Sequence, residues 1–270
     1  AYDAALAAAL AETVLLPPKC GFGGDLVAIV VPAGSPAPEA LIAVGGAAEG
    51  HAAVALEGRW RDVGPDSVGP PAAAAGYAAL AERGVLGRAA AAAAAIELAE
   101  QGFAWAAVCT ALSRQAAPLV AEMQPDGCPY YPGGEPIPAG SVVRLPGLAE
   151  VLREWVERGE ALLEGPVGAA IEREVAGRGG ALRATDFRFA TAGWTECATV
   201  EAGSRRMWAT PAPTHGPSLM AAAADIAAAS ETGPLAVHRA VMAAIARQRV
   251  ELGDPGGTSM VSAGDAAGNV

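Results

Sequence analysis

Cys20-Gly21-Phe22-Gly23-Gly24-Asp25-Leu26-Val27-Ala28-Ile29-Val30-Val31 is the stretch on which the fold turns. A glycine-rich turn here opens a strand, and the unbroken apolar run from Leu26 to Val31 fits a short buried one. A dinucleotide fingerprint has the reverse order, strand first and helix after, with a glycine spacing that Gly21, Gly23 and Gly24 lack. A phosphate-binding P-loop needs Gly-Lys followed by Ser or Thr, which is also missing. The glycines therefore read as a tight turn or a close backbone approach.

Upstream, Asp3 to Leu16 is rich in Ala and Leu and stops at Pro17-Pro18, which predicts a helix with a proline end. Downstream, Pro32 to Pro38 turns the chain and Ala40 to Val44 returns as a second strand. A helical middle follows. Ala72 to Arg83 ends at Gly84 and Ala89 to Gln101 at Gly102, each glycine placed where a helix C-cap uses positive φ. Trp105 to Glu122 is the next helix, and Gln124 to Pro138 is a loop of Pro, Gly and Tyr. Leu148 to Arg158 is amphipathic, and Val167 to Ala176 is a helix closed by Gly177-Arg178-Gly179-Gly180. Arg205 to Pro213 reads as a strand leading into the turn Pro213-Thr214-His215-Gly216-Pro217. Helices run from Ser218 to Ser230 and from Leu235 to Val250. Ser259 to Gly264 begins a strand just before the sequence stops at Val270. Strands at both ends of a helical middle predict an α+β fold in which helices cover a sheet, and a chain that is part of something larger.

The 270 residues carry 18 Lys+Arg against 29 Asp+Glu, a net charge of −11, with 52% hydrophobic and 17% charged residues. That balance is globular and not disordered. An acidic chain whose only lysine is Lys19 lacks the clustered cations of a nucleic-acid surface. No stretch approaches the ~20 apolar residues that span a bilayer; Ala89 to Ile96 is closed off by Arg88 and Glu97. Ala1-Tyr2-Asp3 has no basic start or apolar run of the secretory kind, and no initiator Met. Cys20, Cys109, Cys128 and Cys197 form no CxxC pair and have no His at ligand spacing, so they read as reduced thiols and no metal site is expected.

Histidine chemistry is sparse. His238 falls mid-helix, His51 in a loop and His215 in the Pro-Thr-His-Gly-Pro turn. None adjoins a Ser or Cys in a recognisable elbow, although a triad assembles in space and spacing alone does not exclude one. The segment Leu252-Gly253-Asp254-Pro255-Gly256-Gly257-Thr258-Ser259-Met260-Val261-Ser262-Ala263-Gly264-Asp265-Ala266-Ala267-Gly268-Asn269 offers another chemistry. A flexible Gly-Gly before a hydroxyl residue, then a strand and an Asp-x-x-Gly-Asn turn, suits a threonine that attacks its own preceding carbonyl. Cleavage would free the Thr258 α-amine, whose pKa of roughly 7.7–8.0 lets it act as base for its own hydroxyl. The same residues also suit a plain β-hairpin turn.

Taken in order, the motifs resemble those of the gamma-glutamyltransferase (gamma-glutamyltranspeptidase) family of N-terminal-nucleophile hydrolases over nearly the whole chain. Ala1-Tyr2-Asp3-Ala4-Ala5 is similar to its Ala-x-Asp-Ala-Ala opening helix, and Cys20 to Leu26 to its Gly-x-Gly-Gly lead into a strand. Val68-Gly69-Pro70-Pro71 stands where the family has Gly-Val-Pro-Gly, and Ala99 to Phe103 matches Ala-x-x-Gly-Phe. Leu145-Pro146-Gly147-Leu148-Ala149 with Leu152, Gly179-Gly180 and Thr185-Asp186-Phe187 follow in register. The Pro211 to Pro217 turn resembles Pro-Pro-x-Ser-x-Gly, and Leu252 to Pro255 reads Leu-Gly-Asp-Pro. Thr258 falls on the nucleophile, with Ser262, Asp265, Gly268 and Asn269 at the family's spacing behind it.

The resemblance implies a proenzyme that cuts itself before Thr258 and pairs a large with a small subunit in a four-layer αββα sandwich. Residues 1–257 would be the large-subunit-like region and 258–270 the start of the small one. The partner would be that small subunit, from the same precursor or as a separate chain, and the substrate a small-molecule acyl donor. Neither cofactor nor nucleic acid nor membrane is implied. Thr258 would attack a gamma-glutamyl amide and pass the acyl group to water or an amino acid. The oxyanion glycines and most substrate contacts belong to the small subunit, and each oxyanion donor is worth about 2.7–4 kcal/mol, so the chain alone is expected to be nearly inert.

Departures from the family bear on substrate. The arginine that binds the glutamyl α-carboxylate follows the second strand, where Gly46 stands here; a shifted alignment offers Arg59 or Arg61, without the Ala-Pro that should follow. Loss of a bidentate carboxylate clamp predicts a substrate diverged from glutathione. The segments between Gly46 and Val68 and before Leu252 are short for the family. Such economy fits a biosynthetic homologue that hydrolyses a carbon–carbon bond in an antibiotic precursor of the 4-alkylproline type, by analogy. A biosynthetic member would be cytoplasmic, whereas ordinary members are often exported. A non-catalytic scaffold subunit is the reading of another class, and retention of Gly256-Gly257-Thr258 speaks against it. A cut after Val270, leaving Thr258 internal, also stays open.

Overall fold

Prolines and glycines set most of the element boundaries in the computed structural model, which describes residues 1–58, 63–229, 233–252 and 260–266. Helix α1 (Tyr2–Leu15) stops before Pro17-Pro18, and the glycine turn delivers the chain to the antiparallel pair β1 (Leu26–Val30) and β2 (Glu39–Ala43). A short α2 (His51–Leu56) precedes α3 (Ala73–Arg83) and α4 (Gly87–Gln101). Strand β3 (Phe103–Ala104), α5 (Ala107–Met123) and β4 (Val142–Val143) follow, β3 pairing with β4. Helices α6 (Pro146–Arg158) and α7 (Pro166–Gly177) each begin on a proline, whose missing N–H costs nothing in a first turn. The chain closes with β5 (Gly193–Glu196), β6 (Ala198–Ala202), β7 (Arg205–Ala209), α8 (Gly216–Ala228) and α9 (Pro234–Leu252).

Strands β1, β2 and β5 form one antiparallel sheet in that order, with Ala28 opposite Leu41 and Leu41 opposite Trp194. Those residues face the helices. The alternate residues of β1 do not: Val27 is 46% and Ile29 41% exposed. The apolar run is therefore one covered face and one open apolar face, not a strand buried on both sides. The period-two alternation of side chains turns Val27 and Ile29 to the side away from α3, where Ala40 between them and β5 is nevertheless buried.

The main core joins α1 (Leu6, Leu10, Val14), α3 (Tyr77, Leu80), α4 (Ala91, Ala92, Ala95, Ala99) and α6 (Leu152, Trp155). Alanines along α4 let its neighbours approach, and aromatic rings fill the volume that they leave. Phe22, carried in by the glycine turn, meets Tyr77 edge-on at 5.4 Å, and Tyr77 meets Trp155 at 6.3 Å. The Trp155 indole N–H donates to the Ala74 carbonyl at 3.0 Å, so this buried ring has its polar atom satisfied. Burial pushes the Tyr77 hydroxyl well above its ordinary value. Helix α3 rests on β1 and β2 at Gly76, where a Cβ would come 2.8 Å from the Ala43 Cβ and 2.9 Å from that of Leu26.

Several local expectations are corrected. Gly102 has the predicted positive φ of 99°, but Gly84 has φ −78°. Gly84 is needed for space instead: a Cβ there would lie 2.3 Å from the Asp3 carboxylate, which accepts the Val85 and Leu86 N–H groups at 2.9 and 3.0 Å. His51 opens α2 and is buried, not placed in a loop. Residues 260–264 form no strand, and Ser259 lies outside the described residues.

Candidate functional site

The exit of β2 is where separate sequence motifs converge. Asp25 of the glycine turn accepts the Gly45 N–H at 2.9 Å, which pins the chain as it leaves the sheet. A Cβ on Gly45 would lie 1.7 Å from the Pro70 carbonyl oxygen, and one on Gly46 would lie 3.3 Å from the Phe189 Cβ. A Cβ on Gly69 would in turn sit 3.0 Å from the Gly46 carbonyl. Thus the glycine turn, the Val68-Gly69-Pro70-Pro71 segment and the residues after Thr185-Asp186-Phe187 all close on Gly45-Gly46. By contrast, Gly21, Gly23 and Gly24 have open space where a Cβ would stand and no positive φ; they belong to an exposed turn, not to a close approach.

Asp186 organises the neighbouring wall. It is 2% exposed, and its carboxylate accepts the Glu49 N–H at 3.0 Å and the Arg183 N–H at 2.8 Å. One buried carboxylate thereby ties the segment after β2 to a segment from the far end of the chain. Arg188 pairs with the Glu49 carboxylate and lies 4.6 Å over the Phe189 ring. Between these segments opens a cavity of about 400 Å³, lined by Glu49, Arg183, Thr185 and Asp186 among others. Asp186 was visible in sequence only as part of a motif; Glu49, Arg183 and Arg188 carried no signal, because their meeting depends on contacts across 137 positions.

Thr258, Gly256, Gly257, Gly268, Asn269, Arg59 and Arg61 lie outside the described residues. Ser262 and Asp265 are described and exposed, and the Asp265 carboxylate stands 3.0 Å from the Ala1 nitrogen, bringing this segment to the start of α1. His215 stands at the N-cap of α8, with its Nδ1 buried and without a hydrogen-bond partner among the described residues. Thr214 beside it bonds the Thr210 hydroxyl at 2.7 Å and accepts the Gly216 N–H at 3.1 Å. His238 is within α9, as its sequence context implied. Among the described residues no cluster of His, Cys, Asp and Glu is arranged to hold a metal. Burial pushes the Cys109 and Cys197 thiols above their ordinary values, away from a reactive thiolate.

Comparison with known proteins gives this geometry a context. The family profile described as Gamma-glutamyltranspeptidase matches residues 1–269. Among solved structures, the gamma-glutamyltranspeptidase of Helicobacter pylori superposes with a TM-score of 0.81 at 21% identity, covering 94% of this chain and 78% of that one. The transpeptidase CapD of Bacillus anthracis gives 0.74 at 18%, covering 94% and 86%. The cephalosporin acylase of Bacillus halodurans gives 0.77 at 26%, covering 91% of this chain and 48% of that one. No curated protein matches by sequence.

Proposed function

The chain belongs to the gamma-glutamyltranspeptidase family, and from that premise we propose that it is the large-subunit part of a self-processing hydrolase or acyltransferase whose nucleophile is Thr258. Its fold is of the N-terminal-nucleophile hydrolase type, without the small subunit. The observation that carries the proposal is that the family match runs through residue 269 and so includes Gly256-Gly257-Thr258, which we read as the cleavage junction. Residues 1–257 then form the large-subunit region and 258–270 the beginning of the small one. The open apolar face with Val27 and Ile29 supports a second layer above the sheet, because such a face is stable only when covered. The small subunit, cleaved from the same precursor or made separately, would supply that layer.

In this reading the freed Thr258 amine takes the proton from its own hydroxyl. The oxygen attacks the carbonyl carbon of an amide-type donor, and the C–N bond breaks as the departing nitrogen takes a proton. Water or an amine then attacks the acyl-threonine ester, releasing the product and restoring the hydroxyl. The small subunit supplies the oxyanion donors.

The substrate has diverged from glutathione. Support comes from the β2 exit, where the Pro70 carbonyl leaves no room for a side chain at Gly45 and Phe189 crowds Gly46. Gly45 has no room for a side chain and Gly46 has none in this sequence, so neither position supplies the arginine of a carboxylate clamp. The second reading, a biosynthetic homologue whose donor bond is carbon–carbon, rests on the same lack of an arginine at Gly46 and on analogy within the family. A biosynthetic role would place the protein in the cytoplasm; no described helix is long and apolar enough to cross a membrane. The test is turnover by the processed two-subunit protein on glutathione, on non-glutamyl amides and on a carbon–carbon substrate of the 4-alkylproline type. Preference for a non-glutamyl donor is expected, and brisk glutathione hydrolysis with negligible turnover of the others would overturn it. The Thr258→Ala variant should lose both processing and turnover. If both survive unchanged, the scaffold reading replaces this one.

A further inference from the structure

Asp265 follows Thr258 by seven positions, and its carboxylate reaches the Ala1 nitrogen at 3.0 Å across 264 positions of sequence. The contact falls at the N-terminus of α1, whose N-cap residue, Ala1, makes no capping bond with its own side chain. The acid of the first turn, Asp3, is engaged elsewhere, accepting the Val85 and Leu86 N–H groups at 2.9 and 3.0 Å. Nitrogens at a helix N-terminus carry partial positive charge and favour a carboxylate. A peptide N–H at Ala1 donates to Asp265 as an amine does, so the contact holds with either.

That end of α1 is a fixed point. The Tyr2 ring meets the Trp194 ring of β5 edge-on at 6.4 Å, and Asp3 joins the helix to the connection between α3 and α4. The segment before Asp265 lies along the body of the molecule. Val261 and Ala263 are half-buried while Met260, Ser262 and Gly264 are exposed, the alternation of an extended chain with one face turned inward. Residues as small as Ala263 and Gly264 specify register weakly. A carboxylate on the N-terminus of α1 fixes it.

We propose that Asp265 is a positioning residue for self-cleavage, its contact with α1 holding the chain after the junction so that Thr258 attacks the bond before it. The proposal rests on the reading of Thr258 as nucleophile. In that step the Thr258 hydroxyl oxygen attacks the Gly257 carbonyl carbon. The C–N bond breaks, and the hydroxyl proton passes to the departing Thr258 nitrogen. Water then hydrolyses the resulting Gly257 ester to a carboxylate and restores the hydroxyl. Attack on an adjacent bond needs one backbone arrangement out of many, and holding both flanks raises its population. Helix α9, which ends at Leu252, holds the chain before the junction; Asp265 holds it after.

The test follows full-length precursor made by cell-free synthesis, with the polypeptide that begins at Thr258 quantified by mass against time. Asp265→Asn should slow its appearance about 2- to 30-fold, which is roughly 0.3–2 kcal/mol at a helix N-terminus, with tenfold per 1.36 kcal/mol. Asp265→Glu should recover most of the rate. Asp265→Lys should be slower than Asp265→Asn, because it sets a cation against the positive end of α1. A side chain that only packs would not order the variants by charge. In the uncut Thr258→Ala precursor, adding Asp265→Asn should speed hydrogen exchange over residues 260–266. Equal cleavage rates for the parent and Asp265→Asn, Asp265→Glu no faster than Asp265→Asn, or equal exchange in the two uncut proteins would overturn the proposal. A parent that yields no polypeptide beginning at Thr258 would overturn the nucleophile reading itself, and the positioning role with it.

Discussion

The helical half around α1, α3, α4 and α6 and the C-terminal pair α8 and α9 are both rich in apolar residues, yet they place them differently. In the first, Leu6, Leu10, Leu152 and Trp155 are all at or below 1% exposure. In the second, Leu219 is 60% and Leu235 57% exposed, with Val237, Val241 and Met242 exposed beside them. The two helices pack on each other, and α8 packs on β6 and β7, but this arrangement covers only part of their surface. The contrast separates a region that closes its own core from one that needs another layer. It parallels the sheet, where one face is covered and Val27 and Ile29 on the other are not.

Trp155→Ala removes a fully buried ring and leaves the Ala74 carbonyl without its donor, so chemical denaturation should show a loss of about 3–5 kcal/mol. A loss below about 1 kcal/mol would mean that the helical half does not depend on its own core. Gly45→Ala drives a methyl group against the Pro70 carbonyl and should cost about 1–3 kcal/mol, whereas Gly46→Ala, meeting only the Phe189 Cβ at 3.3 Å, should cost less. Equal costs would contradict the geometry of the β2 exit.

Asp3→Asn should cost about 1 kcal/mol by weakening the acceptor for Val85 and Leu86. The Val85 N–H holds the Asp3 carboxyl below its ordinary value of 3.8, so the stabilisation is present above that value and is lost as pH falls through the lowered folded value. Acid titration of stability should therefore be shallower in Asp3→Asn than in the parent. Finally, Leu235→Ser should change the stability of this chain alone by no more than about 0.5 kcal/mol, as at other exposed positions. In the two-subunit protein it should cost more; equal cost in both would break the distinction between the two regions.

The sequence disclosed the helices well, because Pro17-Pro18, Pro146, Pro166 and Gly102 punctuate them with geometry that few other residues supply. It disclosed the strands less well. Strands β3 and β4 are two-residue pairings whose partners come from either side of α5, so neither carries a local period. Strand β5 is exposed along most of its length and owes its place to Trp194, which packs towards the core and carries the Arg83 guanidinium 3.8 Å over its ring. The apolar run in β1 resembles a strand buried on both sides because its open face is apolar too; a missing layer leaves the same pattern as a complete one. At the candidate site, Gly45, Gly46 and Asp186 could be noticed as motif positions, but their mutual contacts could not. The nucleophile assignment rests on the order of motifs, since Thr258 has neither a local partner in sequence nor a place among the described residues.

The most direct measurement is intact mass together with N-terminal sequencing of every polypeptide in freshly purified protein expressed from its full coding sequence. The account predicts a polypeptide that begins at Thr258, absent from the Thr258→Ala variant. A single uncut polypeptide, or a partner beginning after Val270, would contradict it.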